Sequence, residues 1–113
     1  MSTMQQKLEE IAHHVHRLSE EYPNETRAFL NFMHTAEAGK ALSAKEKEII
    51  NVALSVAAQC EWCIAFHVKG ALDAGASRNE IMESGFLAIL MHGGPALMYL
   101  IPLLKALDEF TSA

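Results

Sequence analysis

Apolar residues recur along this chain at intervals of three and four, the spacing that lines up one face of an α-helix. Between Met4 and Tyr22 the stripe is Leu8, Ile11, Ala12, Val15 and Leu18. Pro23 and Asn24 punctuate it. A second helix is expected from Thr26 to Ala38, carrying Phe29, Leu30, Phe32 and Met33, with Gly39 ending it. Ser43 followed three residues later by Glu46 is a helix-start signature in which each side chain satisfies the other's backbone donor; that helix should run to about Gln59. Cys60 begins the next, which ends at Gly75. Ser77 and Glu80 repeat the start signature for a helix reaching about Met91. Gly93-Gly94 then turns the chain, and Pro95 suits the first position of a last helix to Phe110. No segment alternates with period two between turn residues, so no sheet is expected. The pattern predicts an all-α bundle of about six helices, one domain over residues 1–113.

Two runs are too apolar for helices with one solvated face. Ile49, Ile50, Val52, Ala53, Leu54, Val56 and Ala57 cover most of theirs, and Phe86 to Leu104 does the same. A chain of this size has few places to surround a helix completely, so association of copies through these helices is expected, with a well-centred core helix the alternative, above all for the first run. Gly85 to Leu104 also lacks Lys, Arg, Asp and Glu, long enough in principle to span a bilayer. Gly93-Gly94-Pro95 breaks that run in the middle, His92 lies inside it and Pro102 interrupts its end. A buried helix pair fits better than a membrane span.

Charge and the N-terminus narrow the setting. A formal net charge of −5 argues against nucleic acid or an anionic membrane as partner. Met1 to Lys7 shows no basic start followed by an apolar run, so no secretory signal is visible and a cytoplasmic location is expected. In that compartment cysteines serve as functional thiols more often than as structural bridges.

The chain has two cysteines, and they stand together with a histidine in Cys60-Glu61-Trp62-Cys63-Ile64-Ala65-Phe66-His67. Helical geometry puts the Cα atoms of Cys60 and Cys63 about 5 Å apart, inside the window a disulfide requires. Cys63 and His67, four apart, share one face and are one turn from each other. A helix start favours an anion, and His67 can accept the Cys63 proton or hold the thiolate as an ion pair. Glu61 adds an unfavourable negative charge between the cysteines, and Trp62 would shield one side. Glu48, twelve residues before Cys60, is a candidate to orient His67; a solvated surface position is the alternative.

Three uses of Cys60, Cys63 and His67 compete. They supply three ligands of a zinc site that His92 or Glu48 could complete, although no second cysteine pair exists. They could be inert core cysteines. Reversible dithiol chemistry is favoured by the spacing, although the strand–helix–strand setting of thioredoxin-like CxxC pairs is absent. His13 and His16, on one face of the first helix, read as surface residues, and His92 as a helix end.

Taken together, Glu48, Cys60-Glu61-Trp62-Cys63, His67 and Ala74-Gly75-Ala76 resemble the carboxymuconolactone decarboxylase/AhpD-like family. Leu42 to Ile50 is similar to the family's segment entering the active-site helix, and the likeness extends over Phe29 to Leu107. The resemblance implies an all-α fold assembled as a homo-oligomer, trimer or hexamer. In its AhpD branch it implies an antioxidant, thiol-dependent peroxidase with peroxiredoxin-type chemistry and no cofactor or metal. Its partners would be a hydroperoxide substrate and an external dithiol reductant. Carried over, Cys63 would be the attacking thiolate, Cys60 the resolving thiol, His67 the base and Glu48 its proton relay. One departure is that AhpD has a histidine between the cysteines, where this chain has Glu61 and Trp62. The decarboxylase branch generally lacks the CxxC, which disfavours lactone decarboxylation. A non-enzymatic redox sensor or dithiol adaptor and a zinc-binding helical module are the alternatives.

Overall fold

A computed structural model describes residues 3–111, which fold into seven helical segments without a strand among them. These are α1 (Met4–Glu21), α2 (Pro23–Glu37), α3 (Ala44–Ala57), α4 (Glu61–Asp73), α5 (Arg78–His92), α6 (Gly94–Met98) and α7 (Leu100–Thr111). The all-α expectation holds.

Helix starts follow local chemistry. Ser43 Oγ accepts the Glu46 N–H at 3.1 Å while Glu46 Oε1 accepts the Ser43 N–H at 2.8 Å; Ser77 and Glu80 do the same at 3.1 and 2.9 Å. The backbone donors of Ser43 and Ser77 hold the carboxyls of Glu46 and Glu80 below their ordinary range. Thr3 and Gln6 form a third such pair at α1. A long-range cap reinforces it: the Glu109 carboxylate on α7 accepts the Met4 N–H at 2.9 Å and the Gln5 N–H at 3.3 Å.

Three boundaries differ from the sequence pattern. Helix α2 begins at Pro23 rather than Thr26, because a ring with fixed φ and no N–H fits the first turn, where the N–H would go unused. Cys60 is not the first residue of α4 but its cap, with extended backbone at φ −117° and ψ 104°. The last helix is two, broken at Tyr99. Pro102 explains the break: it cannot donate to the Met98 carbonyl four residues back, and its ring crowds that carbonyl.

The core is one cluster centred on α4. Ile64, Ala65, Val68 and Ala71 of α4 pack with Val52 and Val56 of α3, Ile81 of α5, Leu103, Ala106 and Leu107 of α7, and Met4 of α1. Full burial of each larger side chain contributes about 1.5–3 kcal/mol. At Gly85 a Cβ would lie 2.8 Å from Leu103 Cδ2 and 2.9 Å from Leu100 Cδ2, so the bare backbone is what lets α5 settle against α7. Lys45–Glu80 and Arg78–Asp108, each 3.0 Å, join α3 to α5 and α5 to α7 at the surface.

Much apolar surface stays uncovered. Phe86, Leu87, Leu90, Met91, Met98 and Ile101 are each more than half exposed, so Gly85 to Leu104 is buried along one side only and not as a wholly buried pair. Helix α2 contributes no buried residue, and its Phe29 and Phe32 are exposed as well. Among the described residues no helix is long and apolar enough to cross a membrane.

Candidate active site

The chain enters the site through a tight turn. Helix α3 closes with the Gln59 N–H donating to the Val56 carbonyl and the Cys60 N–H to the Ser55 carbonyl, at 3.1 and 3.2 Å. This closure requires a left-handed residue, and Gln59 adopts φ +58° to supply it. The turn delivers Cys60 directly onto the start of α4, where its Sγ accepts the Cys63 N–H at 3.1 Å. A serine or aspartate oxygen usually takes that place; here a sulfur does. The Cys60 and Cys63 Cα atoms are 5.2 Å apart and the two are joined as a disulfide, with an S–S separation of 2.17 Å. That Cα spacing lies well inside the range a disulfide requires.

Helix α3 packs along α4 and brings Glu48 to His67. Glu48 Oε2 lies 3.4 Å from His67 Nδ1, and the two side chains are only 15% and 20% exposed. Glu48 is therefore part of the site and not a solvated surface residue. The contact suits the tautomer in which Nδ1–H donates to the carboxylate, which leaves Nε2 free to face another group. Cys63 stands one helical turn before His67 on the same face of α4.

Three further residues bear on these groups, and none stood out in the sequence. Asn51, one turn after Glu48, donates from Nδ2 to Glu48 Oε1 at 3.4 Å. Gly70, one turn after His67, lies directly under the Glu48 carboxylate. Lys7 comes from α1: it is almost completely buried, with Nζ 3.9 Å from Glu61 Oε1 and 5.0 Å from the centre of the Trp62 ring. The negative charge of Glu61 between the cysteines is thus offset by a cation from another helix. The Asn51 contact follows from its i, i+3 spacing, but contacts with Gly70 and Lys7 depend on helices meeting in space.

Trp62 also forms one wall of an open groove of about 440 Å3 between α1 and α4, completed by Glu10, Ile11 and His14. The Phe66 and His67 rings meet nearly at right angles, with ring centres 5.2 Å apart. Among the described residues no group of three or more His, Cys, Asp or Glu is arranged to hold a metal ion. His92 ends α5 as its position suggested, while His13 and His16 are exposed on α1.

The sequence and the fold have known relatives. Residues 23–106 match the Carboxymuconolactone decarboxylase family. "Uncharacterized protein 4 in cox locus" of Paracoccus denitrificans is 40% identical over 86 residues, covering 76% of this chain and 78% of that protein. An uncharacterized protein of Cupriavidus necator is 34% identical over 106 residues, covering 94% of each. Among solved structures, an apo carboxymuconolactone decarboxylase family protein from Legionella pneumophila superposes with a TM-score of 0.91 at 34% identity, over 96% of this chain and 97% of that one. The chain therefore belongs to the carboxymuconolactone decarboxylase family.

Proposed function

We propose that this protein is a thiol-dependent peroxidase that reduces hydroperoxides through a Cys60–Cys63 dithiol/disulfide cycle. The observation that carries the reading is the conjunction on α4 of a closable cysteine pair with a histidine whose Nδ1 faces a half-buried carboxylate. Lactone decarboxylation gives no role to a redox-active pair at this position.

The cycle starts with both cysteines reduced. His67 Nε2 takes the Cys63 proton, and Glu48 stabilises the resulting imidazolium from the other side of the ring. The Cys63 thiolate attacks the distal oxygen of ROOH, the O–O bond breaks, and the leaving alkoxide takes the proton from His67 as ROH. Cys63 is now a sulfenic acid. Cys60 attacks its sulfur, the S–S bond forms, and the hydroxyl leaves as water with the Cys60 proton. The peroxide gains two electrons and the protein dithiol loses two. An external dithiol reductant, of protein or small-molecule kind, then opens the disulfide by exchange and is itself oxidised. The cytoplasm, where such reductants are maintained, is the fitting setting.

The active protein is proposed to be a homo-oligomer, trimer or hexamer, in which second copies cover the exposed apolar side chains of α2 and α5 to α7. Light scattering should return a multiple of the chain mass; a monomer at micromolar concentration would contradict this. For the chemistry, Cys63→Ser should abolish turnover of an organic hydroperoxide supplied with a dithiol. Cys60→Ser should react once and leave a sulfenic acid on Cys63 that dimedone traps. Undiminished turnover by Cys63→Ser would refute the scheme.

A further inference from the structure

Glycine inside a helix is a poor choice, because its backbone loses more freedom than alanine's and it buries no side chain. Gly70 nevertheless occupies the interior of α4, where its carbonyl accepts the Ala74 N–H in regular fashion and no left-handed φ calls for it. Backbone conformation does not explain it; the neighbouring side chain does. A Cβ on residue 70 would overlap Glu48 Oε2 and lie 2.9 Å from Glu48 Cδ and 3.6 Å from Cγ, and these three Glu48 atoms are the nearest it would meet. The oxygen it would strike is the one that faces His67 Nδ1. The second oxygen is held by Asn51 Nδ2 at 3.4 Å.

We infer that Gly70 is a positioning residue: the missing Cβ forms the seat that keeps the Glu48 carboxylate against His67, with Asn51 steadying its other oxygen. The inference rests on the proposed roles of Glu48 and His67. It makes the identity of residue 70 a requirement of the relay and not of the fold. What a methyl group would displace is the end of a flexible side chain, which can swing away at little cost to packing. Alanine, meanwhile, is the better helix former. Gly70→Ala should therefore damage the site while leaving the protein as stable as before or more so. Damage to function without damage to stability separates a seat for Glu48 from a packing role.

The test is a double-mutant cycle in the Cys60→Ser background, where Cys63 is the sole thiol. Gly70→Ala, Glu48→Ala and the double variant are compared with the Cys60→Ser protein by the rate of Cys63 alkylation with iodoacetamide and by thermal unfolding. Each single change should slow alkylation by about tenfold, because the imidazolium that supports the thiolate loses its carboxylate. The double variant should be no slower than Glu48→Ala alone, since the group the methyl displaces is already gone. An unchanged rate in Gly70→Ala, a double variant slowed by the product of the two single effects, or failure of Gly70→Ala to fold would each overturn the inference. Alkylation consumes no peroxide, so the two readings fail separately. A protein with the expected coupling and no hydroperoxide turnover would keep the seat and lose the peroxidase, and turnover without the coupling would do the reverse.

Discussion

Helix α4 meets a polar partner on each of two flanks, and the two differ in what they offer the cysteines. Toward α3 lie Glu48, Asn51, His67 and Gly70, a half-buried set in which each polar contact points at another member of the set. Toward α1 lies Lys7, which reaches across to the two residues between the cysteines, Glu61 and Trp62. In the proposed cycle the α3 flank moves the proton. The α1 flank, in the same proposal, sets the charge and the shape around the pair. The α1 helix also lies outside the region matched by the family, residues 23–106, whereas α3 and α4 lie within it. In this proposal the chemistry belongs to the α3–α4 pair, and α1 adjusts its surroundings.

Substitutions on the two flanks should separate these contributions. Glu48→Gln, which keeps the shape and removes the charge, should lower the rate of Cys63 oxidation by a hydroperoxide about 100-fold, the scale of losing acid–base assistance. Lys7→Met should lower it only about two- to five-fold, because it exposes the thiolate to Glu61 without touching His67. The loss of the Lys7 contacts should cost about 1 kcal/mol of stability. Stopped-flow oxidation of the reduced proteins reads both. A larger rate effect for Lys7→Met than for Glu48→Gln would reverse the assignment of the flanks.

The turns at the two ends of α4 sharpen the contrast on a smaller energy scale. Before α4, Gln59 and Cys60 donate to the carbonyls of Val56 and Ser55; after it, Gly75 and Ala76 donate to those of Leu72 and Ala71. The bonding is the same and the residue in the left-handed position is not: Gln59 at φ +58° in one turn, Gly75 at φ +94° in the other. Gly75→Ala should destabilise the protein by about 1–2 kcal/mol, since a Cβ is strained there. Gln59→Gly should stabilise it by about 0.5 kcal/mol by relieving the same strain. Opposite shifts in thermal midpoint are the expected result, and shifts of the same sign would show that the left-handed backbone is not what governs them.

These turns also explain what the sequence could and could not reveal. Gly75 marks a helix end because glycine is the default left-handed residue, and the prediction that α4 closes there holds. Gln59 carries no such mark, so the sequence pattern runs the preceding helix on to it and makes Cys60 the first residue of α4 rather than its cap. Ser43-Glu46 and Ser77-Glu80 were legible because both members of each pair lie within one turn. The placing of Cys63 and His67 one turn apart on one helix was legible for the same reason. Glu48 was a candidate by spacing and a stronger one by family resemblance, but its contact with His67 is set by α3 packing on α4. Gly70 and Lys7 gave no local signal at all. One acts through an atom it lacks, and the other through a contact spanning more than fifty positions of chain.

The central claim is that a hydroperoxide drives Cys60 and Cys63 from dithiol to disulfide. Its most direct test is the intact mass of the reduced, metal-free protein after one equivalent of an organic hydroperoxide, with free thiols counted in parallel. The account predicts the loss of two hydrogens and of both thiols, reversed by a dithiol. An unchanged mass with both thiols still free would contradict it.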